Sequence, residues 1–176
     1  MASVRHGPRP VLRAGSSAGL MIVGRSPDTK VHASGVPWDD RSGERLRGWL
    51  AVGPEIFYDD NRIAIIPMGL CFPGQDAKGG DFPLRKERAP AWHPLLHDHF
   101  STVELALLVG QYAQRYYLGS EARPTLTETV RAWREFRPPS SCRCPIPPGA
   151  TPAGSRKIPG SRSSYCPSLA AASPLA

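Results

Sequence analysis

The segment Gly24-Arg25-Ser26-Pro27-Asp28 sets a hydroxyl and a carboxylate two positions apart in one short loop. A glycine at its head lets a ligand or another backbone come close, and Pro27 stiffens the turn. Ser26 and Asp28 can therefore present oxygens into a crevice. Ten residues after Asp28, Trp38 follows Pro37 in a polar loop, where an indole serves either as a stacking platform for a base or as a lid over the core. Core tryptophans outnumber ligand-stacking ones, so the residues alone favour the lid. Asp39 and Asp40 could cap the next helix or repel phosphate, and capping is the simpler role. His32 reads as a lone, solvated loop histidine.

Two further loops carry chemistry. Gly69-Leu70-Cys71-Phe72-Pro73-Gly74 could wall a base pocket, or simply turn the chain back to the surface. Gly110-Gln111-Tyr112-Ala113-Gln114 opens a helix whose N-terminus favours an anion. Between them, residues 78–92 interleave Lys78, Arg85, Lys86 and Arg88 with Phe82 and Trp92. That mixture suits a nucleic-acid strand, although a solvated loop is the default. No Lys-Ser/Thr follows Gly24 at P-loop spacing, which argues against nucleotide phosphate chemistry there.

These loops need a scaffold to bring them together. Residues 19–23 (GLMIV), 63–68 (IAIIPM) and 103–109 (VELALLV) are short apolar runs, as expected of buried parallel strands. Helical patterns occupy 42–50, with Ser42 as a plausible cap, 111–118, and 127–136 with Val130 and Trp133 inward. Strands alternating with helices predict a three-layer α/β/α domain around a parallel sheet. In such a sheet the ligand crevice lies beyond the C-terminal strand ends, marked here by Gly24, Met68 and Gly110.

Bulk properties set wider limits. The 176 residues suit one domain, and the formal charge of +7 favours an anionic partner such as nucleic acid. No stretch has the apolar length to span a bilayer, and Met1 to Pro10 lack the apolar core of a signal peptide. Cys71, Cys142, Cys144 and Cys166 form no CxxC pair, so neither zinc nor an iron–sulfur cluster is expected. A monomer in a reducing cytoplasm fits. From residue 138 onward Pro, Ser, Gly and Ala dominate without any period, so 138–176 reads as a disordered tail behind an ordered domain at 1–137.

The loops taken together resemble the uracil-DNA glycosylase superfamily over roughly residues 7–136. The nearest likeness is to a bacterial branch with a G-Q-A-P-G first motif followed by T-G-x-P-W. Gly24-Arg25-Ser26-Pro27-Asp28 stands in place of the first, and Ser34-Gly35-Val36-Pro37-Trp38 in place of the second. The Gly24-to-Trp38 interval equals that from motif glycine to base-stacking Phe in related glycosylases. Gly110-Gln111-Tyr112-Ala113-Gln114 is similar to the family's G-S-Y-A-Q. The resemblance implies cleavage of the N-glycosidic bond of uracil or another damaged base in DNA, without metal or cofactor. It gives Ser26 and Asp28 the catalytic positions, and Gly24, Arg25, Pro27, Trp38, Met68, Gly69 and Cys71 the base-binding ones. Gly110, Gln111, Tyr112, Arg85 and Lys86 become the DNA contacts. Three departures stand out: Arg25 replaces Gln, Asp28 replaces a glycine, and Pro67-Met68-Gly69 holds none of the Asn that classical uracil enzymes place at the second strand's end. If the replaced glycine has positive φ, Asp28 tolerates it better than most residues.

The family's second motif, H-P-S-P-R-N after a Leu-Pro-Leu-Pro-like segment, has no counterpart after Phe136. Back-translation of residues 141–151, read from the third base onward, yields Leu-Pro-Leu-Pro-His-Pro-Ser-Arg-Arg-Asn. Third bases are free in that exercise; the first two bases of Ile146 and Thr151 restrict the new codons to NAT and NAC, which include those for His and Asn. The expectation is a frame shift from about Ser140, leaving a domain without its fourth strand and C-terminal helix. The N-terminus is likewise expected to lack a helix found in relatives.

Overall fold

The computed structural model describes residues 7–85, 87–136 and the backbone of 142–146. Four strands, β1 (Leu20–Val23), β2 (Ile63–Ile65), β3 (Leu105–Val109) and β4 (Cys142–Ile146), form one sheet in the order β2-β1-β3-β4. Every neighbouring pair is parallel, with Leu20 opposite both Ile63 and Leu105, and Leu105 opposite Cys142. The helices are α1 (Thr29–Ser34), α2 (Arg41–Leu50), α3 (Pro54–Phe57), α4 (Arg88–His97), α5 (Gln111–Leu118) and α6 (Leu126–Arg131).

Strand residues alternate between two cores, as the pleat dictates. Met21, Val23, Ala64, Ile66, Ala106 and Leu108 face a cluster with Ala89 of α4 and with Ala113 and Leu118 of α5. Leu20, Ile22, Ile63, Ile65, Leu107 and Val109 face Leu46 of α2, Phe57 of α3 and Trp133. Helices thus cover both faces, and the predicted three-layer α/β/α architecture holds. Among the described residues no helix is long and apolar enough to cross a membrane.

Two expectations need correction. A fourth strand is present: Cys142–Ile146 pairs with β3 along its length and occupies that edge of the sheet. The segment from residue 138 therefore includes a strand rather than an uninterrupted disordered tail; the rest of 138–176, and the expected loss of a C-terminal helix, lie outside the described residues. Pro145 supplies no N–H to a ladder, which an edge position tolerates. The second correction concerns 78–92, where α4 begins at Arg88 instead of a loop continuing to Trp92.

Smaller differences have local causes. Strand β2 ends at Ile65, although Ile66, Met68 and Gly69 N–H groups still donate to the carbonyls of Ile22, Gly24 and Arg25. Pro67, which has no N–H, costs this ladder nothing, because its nitrogen falls on the side away from β1, as the Ile65 N–H that donates to Arg13 does. Helix α2 is capped by Asp40, whose Oδ1 accepts from Gly43 N at 2.8 Å, while Ser42 donates its hydroxyl to the same oxygen. His32 lies within α1, half-buried, with its ring 5.5 Å from that of Phe72. Helix α6 tightens after Arg131 into a 3-10 turn over Trp133–Glu135; Trp133 is buried and Val130 only half-buried. The opposite sheet edge is covered by the incoming chain, where Arg13 and Ile65 exchange backbone hydrogen bonds of 3.0 and 2.6 Å.

One buried polar group ties α4 to the sheet. His93 is 1% exposed; its Nε2 lies 3.1 Å from the Pro67 carbonyl and its Nδ1 2.6 Å from the Tyr117 hydroxyl. A carbonyl only accepts, so Nε2 carries the proton and Nδ1 accepts from Tyr117. The Tyr117 oxygen in turn lies 3.2 Å from His97 Nε2. Burial lowers the His93 pKa from 6.5, and the positive charge His97 can carry adds to this, against the Pro67 hydrogen bond, which favours the protonated ring. The unfolded chain therefore takes up a proton below pH 6.5 that the folded chain still refuses. Stability is full above that pH and falls as pH drops towards the lower folded-state value. Thermal melts between pH 7.5 and 5 should show this decline, and His93→Gln should flatten it while lowering the melting temperature at neutral pH.

Candidate active site

The chain order reverses between β1 and β3: β2 was added on one side of β1 and β3 on the other. Loops leaving such neighbouring strands diverge and leave a crevice at the C-terminal rim. A cleft of about 810 Å³ opens there. The loop Gly24 to Asp28 forms one wall, Val109 to Tyr112 another, and Ile65 and Pro67 come from the β2 end. Trp38 closes the remaining side with Pro37, Asp40 and Ser42.

Trp38 and Gly24 are in direct contact. A Cβ added to Gly24 would stand 2.8 Å from Trp38 Cζ2, so only glycine admits the indole. Trp38 is half-buried: it lines the cleft and also packs on the α2–α3 core. The platform and the lid are thus one side chain with two faces in use. Its backbone is left-handed, with φ of 59°, a costly conformation for a bulky residue. Gly43 in the first turn of α2 makes room for it, since a Cβ there would stand 1.8 Å from the Trp38 carbonyl oxygen.

Asp28 has an architectural duty besides any chemical one. It is the N-cap of α1, with Oδ1 accepting from Val31 N at 2.8 Å and an ordinary extended backbone at φ −88°. A left-handed conformation, allowed for on the strength of the glycine it replaces, is absent. Among the described residues the second carboxylate oxygen of Asp28 takes no hydrogen bond. Ser26 is half-buried between this loop and the end of β2, its Cβ 3.4 Å from where Gly69 would carry one. Gly69 thus packs behind the first motif rather than lining the cleft.

Arg25 lines the cleft with its guanidinium tied to the neighbouring turn. Its Nη2 donates to the Phe82 carbonyl at 3.0 Å and its Nη1 lies 3.9 Å from Asp81 Oδ2. That link holds the turn at residues 74–82 beside the cleft, which Asp81 also lines. Met68 is buried in the α4–α5 core and Cys71 bridges to Pro10, so neither lines the cleft. The pleat explains Met68: Ile65 and Pro67 face the crevice side, Ile66 and Met68 the other. Gly110, with φ of 92°, turns the chain into α5, and Tyr112 stands 47% exposed at the mouth. Arg85 is exposed but outside the cleft lining, and Lys86 falls outside the described residues.

Sequence reasoning missed several wall residues. Pro67 lines the site from just beyond β2, Val11 arrives from the N-terminal segment, and Leu126 comes from α6. Only the parity of Pro67 with Ile65 signals its direction in the sequence.

The two glycines of α2 give a paired test. Gly48 has open space around its missing Cβ, so Gly48→Ala should stabilise the chain by about 1 kcal/mol through helix propensity alone. Gly43→Ala gains the same propensity but drives a methyl into the Trp38 carbonyl, and should be destabilising. Urea melts of the two variants beside the parent should move in opposite directions.

A comparison with known families agrees with this geometry. Residues 13–165 match the Uracil DNA glycosylase superfamily, a span that takes in all four strands and every cleft element except Val11. The chain belongs to the uracil-DNA glycosylase superfamily, whose members act on DNA.

Proposed function

We propose that this chain is built to receive a nucleobase extruded from DNA, with uracil or another damaged base stacked on Trp38 and the sugar towards Ser26 and Asp28. The observation that carries this reading is the seating of the Trp38 indole on Gly24, at the wall of the crevice where the strand order reverses. An intercalated base needs an aromatic face with one side anchored and one side open, and Trp38 meets both conditions. Tyr112 at the mouth and the N-terminus of α5 suit the flanking backbone.

In the reaction the C1′–N bond breaks and the base leaves with the electron pair. Water then bonds to C1′ of the oxocarbenium-like sugar, passing its proton to a carboxylate. Asp28 is suited to that role through the oxygen not engaged in capping. The segment Pro67-Met68-Gly69 has no amide side chain where classical uracil enzymes carry an Asn, so base recognition must use backbone groups. That relaxes the demand for uracil over other damaged bases.

Cleavage by this chain is impaired in our reading. The departing base acquires negative charge, and the family's His-Pro-Ser motif that would meet it has no counterpart in the sequence after Phe136. Losing one contact of this kind typically costs roughly 10²–10³-fold in rate. A frame-shifted reading of 141–151 would supply the missing motif. A DNA-binding relic without turnover is the alternative, favoured by the same missing motif.

The test is a gel assay on single-stranded DNA carrying one deoxyuridine, comparing this chain with its frame-restored version. The restored chain should leave alkali-labile abasic sites and this chain should leave few or none. Trp38→Ala in the restored chain should abolish most of that activity. Equal activity in both chains would remove the impairment; DNA left intact by the restored chain, with uracil and with deaminated or alkylated bases alike, would remove the glycosylase reading.

A further inference from the structure

Arg47 and Tyr58 do not line the cleft, yet both reach the residue that closes it. Arg47 Nη1 lies 3.4 Å from the Trp38 carbonyl oxygen, and the Tyr58 hydroxyl lies 3.4 Å from the same atom. The two donors also meet each other, with Arg47 Nη1 3.2 Å from the Tyr58 oxygen. The carbonyl they share belongs to one of two non-glycine residues with positive φ among those described, the other being Ala51 at the end of α2. A left-handed tryptophan is strained and persists only where its surroundings over-determine it.

We propose that Arg47 and Tyr58 are positioning residues that clasp the Trp38 carbonyl, hold this residue in its left-handed conformation and so keep its indole on Gly24, ready to receive a base. The inference rests on the reading of Trp38 as the base platform. The clasp is itself braced. The Arg47 guanidinium sits 5.4 Å from the Phe57 ring centre and 5.7 Å from that of Tyr58. Tyr58 stands edge-on to Phe57, with ring centres 5.1 Å apart. From the far end, Arg13 Nη2 donates to the Tyr58 carbonyl at 2.9 Å, and Arg13 pairs with Asp60. Burial raises the Tyr58 pKa, so its hydroxyl remains a donor. Gly43 completes the arrangement, because α2 can press on the carbonyl only without a Cβ there.

A purely structural contact would stabilise the chain without governing the indole, and two measurements separate these cases. The first is the set of indole N–H cross-peaks of the four tryptophans, with that of Trp38 assigned by its disappearance in Trp38→Phe. Tyr58→Phe and Arg47→Met should move the Trp38 peak and leave those of Trp92 and Trp133 in place, while Arg47→Lys should hold it near its original position. The second is the binding preference for a single-stranded oligonucleotide containing uncleavable 2′-fluoro-deoxyuridine over one containing thymidine. Tyr58→Phe should lower that preference about three- to tenfold, the worth of one hydrogen bond. Combined with Trp38→Ala it should lower it no further than Trp38→Ala alone, because both act through one side chain. A Trp38 peak unmoved in both variants, or additive losses, overturns the clasp and leaves the platform reading intact. Binding preference unchanged in Trp38→Ala overturns the platform and, with it, this role.

Discussion

The cleft depends on one close approach, that of an indole to a backbone with no side chain. Trp38 reaches Gly24 only because α2 can bear down on its carbonyl at Gly43 and because no Cβ obstructs its ring at Gly24. Both glycines lie in positions where their conformational freedom is not used, one ending a strand and one inside a helix. Their value is in the space they vacate. Fill either, and the wall of the crevice must move away from the first motif.

This seat also explains how a loop residue can be placed with precision on a scaffold of short elements. The strands are three to five residues long, and α1 and α3 only six and four. Such pieces have little intrinsic stability, so each is fixed by capping or by tertiary contact. Asp28 caps α1, Asp40 caps α2, and Thr125 with Glu128 forms a reciprocal capping box at α6. Two of these caps, Asp28 and Asp40, are also cleft residues, so the carboxylates that start helices face the space where substrate would lie. Helix capping and cleft lining draw on the same side chains.

Much of this was legible in the chain itself. The apolar runs ending at Gly24 and Gly110 located β1 and β3, and the loops after them do form the cleft. Helix α4 was not legible, because its pattern is inverted: Trp92 and Leu95 are 53% and 58% exposed while His93 is buried. Prolines at 90 and 94 further disguise it as a loop. At the end of β2 the residues were located but their direction was not, since Met68 turns into the core and Pro67 into the site. The strained backbone of Trp38 leaves no mark in local sequence at all. It arises from Arg47, Tyr58 and Gly43 acting together, and no spacing rule expresses that.

The edge strand β4 carries a last consequence. A terminal strand in a parallel sheet needs only one row of backbone partners, here supplied by β3, and backbone amides pair without regard to the side chains they bear. Five residues that include a proline and two cysteines can therefore complete the outline of the fold. A catalytic loop has no such latitude, because its atoms act one by one. In this chain, shape and reactivity are therefore written with different tolerances: the outline of the sheet rests on backbone pairing, and a reactive loop on individual atoms.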